Sequence, residues 1–255
     1  MARSLSLLHR DWVFAGPVAA AAHGFEHQWS LHDGSMTIST HHRGGYQGSK
    51  RLRHLFAPAS TLECVDAGGV PVTGKSRTLV DCALMLEFRL ALPIFDSALA
   101  QGVPIASVLR LCGSSRADCS AVFRLLHYAS ADSENGGESF ARGTMIDLGL
   151  QVPRLQVEFT DPATGSSYRA DFVWYLPDGR VIVGEFDGQE KYIAPSMTGG
   201  KDIAGVIGAE RERQEGLRRA GVSGIFRFNF REVTDREPLR RKALAAGVPL
   251  RADGL

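Results

Sequence analysis

The sequence predicts an α/β chain of the α+β kind, and three observations carry that expectation. Segments with period-two alternation and segments with helical spacing are interleaved along its length. A small, polar, glycine-containing stretch, 129–137, separates a first unit from a second. Hydrophobic content of 44% and charged content of 22% are globular values, and 255 residues suffice for one large or two ordinary domains. The expected domains are 1–130 and 131–255.

In the first unit the alanine-rich segment 15–23, stopped by Gly24, predicts a short helix. Segments 35–40, 51–56 and 62–65 read as strands. Residues 76–88 place Leu79, Val80, Ala83 and Leu86 at helical spacing and predict an amphipathic helix. Further helices are expected over 93–101, 105–111 and 117–128. This makes a smaller, mixed α/β domain.

The second unit reads as helix, strand, strand, strand, helix, strand, helix. Residues 138–148 form the first helix, ended by Gly149. Strands follow at 155–160, 168–176 and 180–187. After a glycine-rich loop comes a long helix over 202–220, ended by Gly221. It has one apolar stripe (Ile203, Val206, Ile207, Leu217), and Glu210–Arg213 and Glu215–Arg219 sit at mutually supportive spacings. A strand at 223–230 and a last helix from about Pro238 complete the unit.

Between the second and third of those strands, Leu176-Pro177-Asp178-Gly179-Arg180 is a turn signal. Proline presets φ at the second position and glycine accepts positive φ at the fourth. A type I turn ending in a glycine bulge closes a three-residue hairpin loop. On that register Leu176 pairs with Arg180, and counting back along both strands sets Asp171 opposite Glu185. Opposed side chains have Cβ atoms roughly 5 Å apart, where like charges repel. Asp171, Val173 and Tyr175 share one face, Phe172, Trp174 and Leu176 the other. Val181 and Val183 share a face with Glu185 and Asp187, so the acids end otherwise apolar rows. Such a pair either holds a divalent cation or a proton, or is a solvated strand end decorated with acids. Three acids converge here rather than one, which favours a site.

Composition excludes several classes. The net charge of +1 leaves any basic surface local. Such a surface is expected between Asp33 and Glu63, a stretch without acids. It holds Arg43, Lys50, Arg51 and Arg53, with His41, His42, His54 and Gly44-Gly45-Tyr46. It is either a phosphate-contacting loop or a solvated one. Cys64, Cys82, Cys112 and Cys119 lack C-x-x-C spacing, which favours buried, reduced thiols in a cytoplasmic protein over a zinc site. No apolar run approaches membrane-spanning length and no signal-peptide pattern opens the chain, so no membrane partner is expected. All eight histidines precede the dividing stretch, so histidine chemistry is not expected of the second unit alone.

The segment 184–192 (Gly-Glu-Phe-Asp-Gly-Gln-Glu-Lys-Tyr) follows Arg169-Ala170-Asp171-Phe172 and precedes Glu210-Arg211-Glu212-Arg213 and Leu217. Together they resemble the Vsr-like branch of the PD-(D/E)XK endonuclease superfamily. Glu138-Ser139-Phe140-Ala141-Arg142 ahead of Gln156 resembles that branch too. Upstream, 14–25 and Thr73-Gly74-Lys75-Ser76-Arg77-Thr78-Leu79-Val80-Asp81 resemble the region accompanying this domain in AbiEi-like antitoxins. The likeness spans most of the chain.

The resemblance implies a restriction-endonuclease-like mixed sheet flanked by helices. It implies a cluster in which Glu138, Asp171 and Glu185, with Asp187 added, hold Mg²⁺ or Mn²⁺. DNA is the implied partner and phosphodiester hydrolysis the implied activity, with Glu138, Asp171, Glu185 and Lys191 catalytic. The family lysine two residues after the second strand acid is here Asp187, which leaves Lys191, four residues further on, as the polarising cation. Arg213 joins Arg43, Lys50, Arg51 and Arg53 as an expected nucleic-acid contact. Antitoxin-like relatives usually begin with a winged helix. The match is reached by Phe14, so the sequence predicts either no such reader or a truncated start. The alternative reading is a non-catalytic, DNA-binding regulator of the type IV antitoxin kind, with an unidentified cognate toxin.

Overall fold

Helices and strands interleave much as their sequence periods require. The computed structural model describes residues 1–41, 51–57, 62–187 and 203–251, with side chains from 208 in the last segment. The chain divides into two units, Met1–Ser139 and Phe140–Leu255.

The first unit runs α1 (Ala2–Leu8), β1 (Val13–Phe14), α2 (Gly16–Ala22), a 3-10 turn (Trp29–Leu31), β2 (Met36–Thr40), β3 (Leu52–Phe56), β4 (Cys64–Asp66), β5 (Pro71–Thr73), α3 (Lys75–Met85), α4 (Phe88–Ala100), α5 (Ile105–Ser114) and α6 (Ser120–Tyr128). Its strands lie in the order β3-β2-β1-β5-β4. β1 pairs antiparallel with β2 and parallel with β5, so the sheet is mixed. Phe14, Ala19, Ile38 and Val72 form a core beneath it. The helix expected over 76–88 ends at Met85, and a new helix starts at Phe88 rather than at Pro93. A single helix through this region would carry Pro93 in its middle, at a cost of about 3 kcal/mol. Restarting at Phe88 keeps Pro93 near the start of its helix, where it forfeits one bond, to the carbonyl of Arg89.

In the second unit α7 (Gly136–Asp147) carries the division in its first turn and is followed by β6 (Arg154–Thr160), β7 (Ser167–Tyr175), β8 (Val181–Asp187), α8 (Ile203–Arg219), β9 (Gly224–Asn229), α9 (Phe230–Asp235) and α10 (Glu237–Ala246). The sheet order is β6-β7-β8-β9. β7 pairs antiparallel with both β6 and β8, and β9 lies parallel to β8. That last pairing needs a crossover connection, which α8 supplies. The strand expected over 223–230 ends at Asn229, and α9 starts at Phe230. Asn229 and Glu232 form a capping box that turns the chain into a helix at once.

Both faces of this sheet are buried, as expected where helices cover it. Val173, Val183, Leu217 and Val222 pack on one side. On the other, Phe172 meets Phe228 and Trp174 meets Phe226, with ring centroids 5.8 and 5.7 Å apart. Gly184 makes room for this: a Cβ there would lie 3.0 Å from the Phe226 ring and 3.1 Å from Trp174. The mixed α/β architecture is thus the observed one. No helix among the described residues is long and apolar enough to cross a membrane.

Candidate functional site

The β7–β8 hairpin closes as its turn residues require. Leu176 N donates to Arg180 O at 2.9 Å, and Gly179 N donates to Leu176 O at 3.0 Å. Gly179 takes φ +85°, the left-handed conformation glycine adopts without strain. The ladder pairs Tyr175 with Val181, Trp174 with Ile182, Val173 with Val183 and Phe172 with Gly184. One step further along the same register come Asp171 and Glu185.

There the ladder opens and a side chain takes over. Asp171 Oδ2 accepts from Phe186 N at 2.9 Å, capping the strand next to Glu185. On the other flank, β8 and β9 pair Glu185 with Arg227. Glu185 is therefore paired with Arg227 on β9, while on the β7 side, beyond the last ladder pair Phe172–Gly184, Asp171 lies close enough to influence its carboxyl.

Helix α8 lies over this face. Leu217 is buried among Val173 and Val183, and Arg213 stands one turn before it on the same side of the helix. Four residues advance about 6 Å along a helix, close to the two-residue step from Val183 to Glu185 in a strand. This match brings Arg213 Nη2 to 2.7 Å from Glu185 Oε1. The same nitrogen donates to Arg169 O at 2.7 Å. A further turn back, Glu210 accepts from Arg227.

Glu185 is 9% exposed. Burial is the largest influence on its carboxyl and raises its pKa; Arg213 opposes that, Asp171 adds to it, and Arg227 opposes it weakly. Arg227 also feels Asp187 and Glu185, and its guanidinium is held above its ordinary pKa, with its bond to Glu210 the main raising influence. Four carboxylates (Asp171, Glu185, Asp187, Glu210) and two guanidinium groups thus form one coupled patch.

Glu138 has a different setting. It lies in the first turn of α7 and is 6% exposed. Its carboxylate accepts from Asn135 Nδ2 at 2.8 Å and Glu134 N at 3.1 Å, while Asn135 Oδ1 accepts from Glu138 N at 3.0 Å. These are reciprocal bonds that satisfy donors at a helix start. Among the described residues, no group of three or more His, Cys, Asp or Glu side chains is placed to hold a metal ion. Lys191, Arg43 and Lys50 lie outside the described residues, as do His42 and Gly44-Gly45-Tyr46 and the side chains of Ile203, Val206 and Ile207. Arg51 and Arg53 are exposed, on and just before β3.

Sequence reasoning did not single out Arg227, and it paired Glu210 with Arg213, whereas Glu210 meets Arg227 and Arg213 meets Glu185. The signal for Arg227 was present: it sits between the buried Phe226 and Phe228, so alternation alone turns it to the face of Glu185. No family model, curated protein or solved structure matches the chain.

Proposed function

We propose that the Asp171–Glu185 face binds a divalent cation, Mg²⁺ or Mn²⁺, and that the protein hydrolyses DNA phosphodiester bonds as an endonuclease or nicking enzyme, in DNA repair or phage defence. The observation that supports this most is the juxtaposition of two carboxylates across adjacent strands, one of them buried with a raised pKa. The donor set is oxygen only, which suits a hard cation that retains several waters. Asp171 and Glu185 would hold it, with Asp187 beside them. Glu138, whose carboxylate caps its own helix, fits less well as a third ligand. A cation bound there supplies an acidified water and offsets charge on the scissile phosphate. Arg213, released from Glu185, can offer its planar fork to a phosphate oxygen. Lys191 remains the proposed polarising cation, and Arg43, Lys50, Arg51 and Arg53 the proposed backbone contacts. A cytoplasmic setting suits the four unpaired cysteines.

The test is nicking of supercoiled plasmid with Mg²⁺ or Mn²⁺, abolished in Asp171→Asn. The metal should also raise stability by about 2.7 kcal/mol at a hundred times its Kd. If neither plasmid nor mismatched duplex is cut and neither ion shifts the unfolding midpoint, the hydrolytic reading fails.

One observation favours a second reading. The 2.7 Å Glu185–Arg213 pair and the Glu138 cap satisfy two of the four expected ligands with no metal at all. A non-catalytic, DNA-binding regulator of the type IV antitoxin kind, working with a cognate toxin, would keep such a scaffold. It predicts DNA retention that is independent of metal and unchanged in Asp171→Asn.

A further inference from the structure

The first unit holds a pair of imidazoles that the strand acids do not involve. His27 and His32 flank the 3-10 turn Trp29–Leu31, and their Nε2 atoms lie 2.6 Å apart. The rings are nearly perpendicular, at 81°, with centroids 4.8 Å apart. His27 Nδ1 is 2.6 Å from Phe25 O. A carbonyl oxygen can only accept, so Nδ1 carries the proton and Nε2 of His27 presents a lone pair. His32 Nε2 must then be the donor to it.

We infer that His27 and His32 bind a divalent transition-metal ion of the zinc and copper class through their two Nε2 atoms. A carbonyl-anchored Nδ1–H is the arrangement that fixes ring orientation in metal-ligating histidines. The scaffold under the pair is also fixed. Leu31 N donates to Gln28 O and His32 N to Trp29 O, both at 3.0 Å. The buried Gln28 anchors the turn through a 2.9 Å bond from its Nε2 to Gly136 O.

The rearrangement is small. Metal–nitrogen bonds of about 2.0–2.1 Å at a tetrahedral angle set two nitrogens about 3.3 Å apart, so the pair opens by less than about 1 Å. His32 shifts its proton from Nε2 to Nδ1, which its exposure to water allows. Water completes the coordination. Imidazole donors select zinc, copper or nickel, whereas Mg²⁺ takes oxygen donors, so this site and the strand acids call for different ions.

A reporter stands beside it. Trp29 is 85% exposed, with its ring centroid 6.3 Å from His27 and 5.8 Å from His32. CuCl₂ is titrated into the full chain carrying Asp171→Asn, which disables the strand acids, and indole emission and calorimetric heat are followed together. The expected result is saturable quenching at one ion per chain. Each of His27→Gln and His32→Gln should weaken binding at least about tenfold, a loss that even outer-shell changes cause at such sites. Trp29→Phe should abolish most of the quenching while the heat remains. Unchanged binding in the histidine variants, or unchanged quenching in Trp29→Phe, overturns the inference and leaves the pair as a hydrogen bond alone. Should a histidine variant fail to fold, the spin-resonance spectrum of the copper-loaded protein decides, since fewer than two coordinated imidazole nitrogens also overturns it.

Discussion

Two of the ion pairs that helix α8 makes beneath it differ in kind. Near its end Arg219 meets Asp161, in the loop after β6, with Nη2 2.7 Å from Oδ2 and Nε 3.1 Å from Oδ1. Asp161 also accepts from Ala163 N and Thr164 Oγ1, each at 2.9 Å. These bonds, led by the one from Arg219, hold its carboxyl well below the usual carboxylate range. Earlier in the helix Arg213 meets Glu185 at a similar 2.7 Å, yet that carboxyl is raised. Distance therefore does not set the outcome. Asp161 has a fork, a backbone donor and a hydroxyl around it, whereas Glu185 has one donating guanidinium nitrogen, an acidic neighbour and only a weak pull from Arg227. A carboxylate so fully bonded is an anchor. One left short of donors beside a second acid still has unmet demand for positive charge, which is what a cation site requires.

The first way to break the comparison is to remove the anchor. Asp161→Ala deletes five hydrogen bonds and leaves Arg219 beside the sheet without its fully buried partner. The largest fall in unfolding midpoint among single substitutions on this face is expected there, measured by urea titration at pH 7. If Glu185→Gln costs as much, the contrast between anchor and site is wrong.

Between the two pairs lies the contact that sets the height of α8 over the sheet. A Cβ on Gly216 would come within 2.3 Å of the Tyr168 ring. Displacing that ring costs about 1–3 kcal/mol, while alanine regains about 1 kcal/mol of helix propensity over glycine. Gly216→Ala should therefore destabilise by about 1 kcal/mol. Because it lifts the helix, it should also weaken metal binding in the proposed nuclease site, and Tyr168→Leu in the same chain should restore both. A helix that tolerates the methyl group without either effect would show that its seating is loose.

How much of this was legible in the chain follows from what each signal depends on. The hairpin register was readable because Pro177 and Gly179 fix the turn, and a fixed turn fixes every pair behind it. The expected opposition of Asp171 and Glu185 came from that alone, and the ladder runs to the pair before it, Phe172 and Gly184. The Arg213–Glu185 pair was not readable, because it depends on how α8 seats, and Gly216 gives no sign in sequence of the ring it must clear. Glu138 shows a different limit. A glutamate three positions after Asn135 is what both a helix cap and a first-helix metal ligand look like, and only hydrogen-bond geometry assigns it to the cap. Asn229 and Glu232 offered the same spacing, and there the cap was the signal for a helix that strand periodicity concealed.

The smallest effect sharpens the comparison through pH. For Asp161 the folded-state pKa is depressed below its ordinary 3.8, so its stabilisation is present above that value and is lost as pH falls. For Glu185 the folded-state pKa is raised above its ordinary 4.5, so the sign reverses. From about pH 4.5 up to the raised value, the folded state binds more protons than the unfolded one, and stability falls as pH rises. Glu185→Gln removes that term. Its stability should gain on the wild type as pH climbs through this window, while the acid limb, set by Asp161, stays where it was. Urea midpoints measured at intervals from pH 3 to pH 8 read both limbs at once. A Glu185→Gln curve parallel to the wild type above pH 4.5 would mean that Arg213 already satisfies the carboxylate, and that no cation is called for.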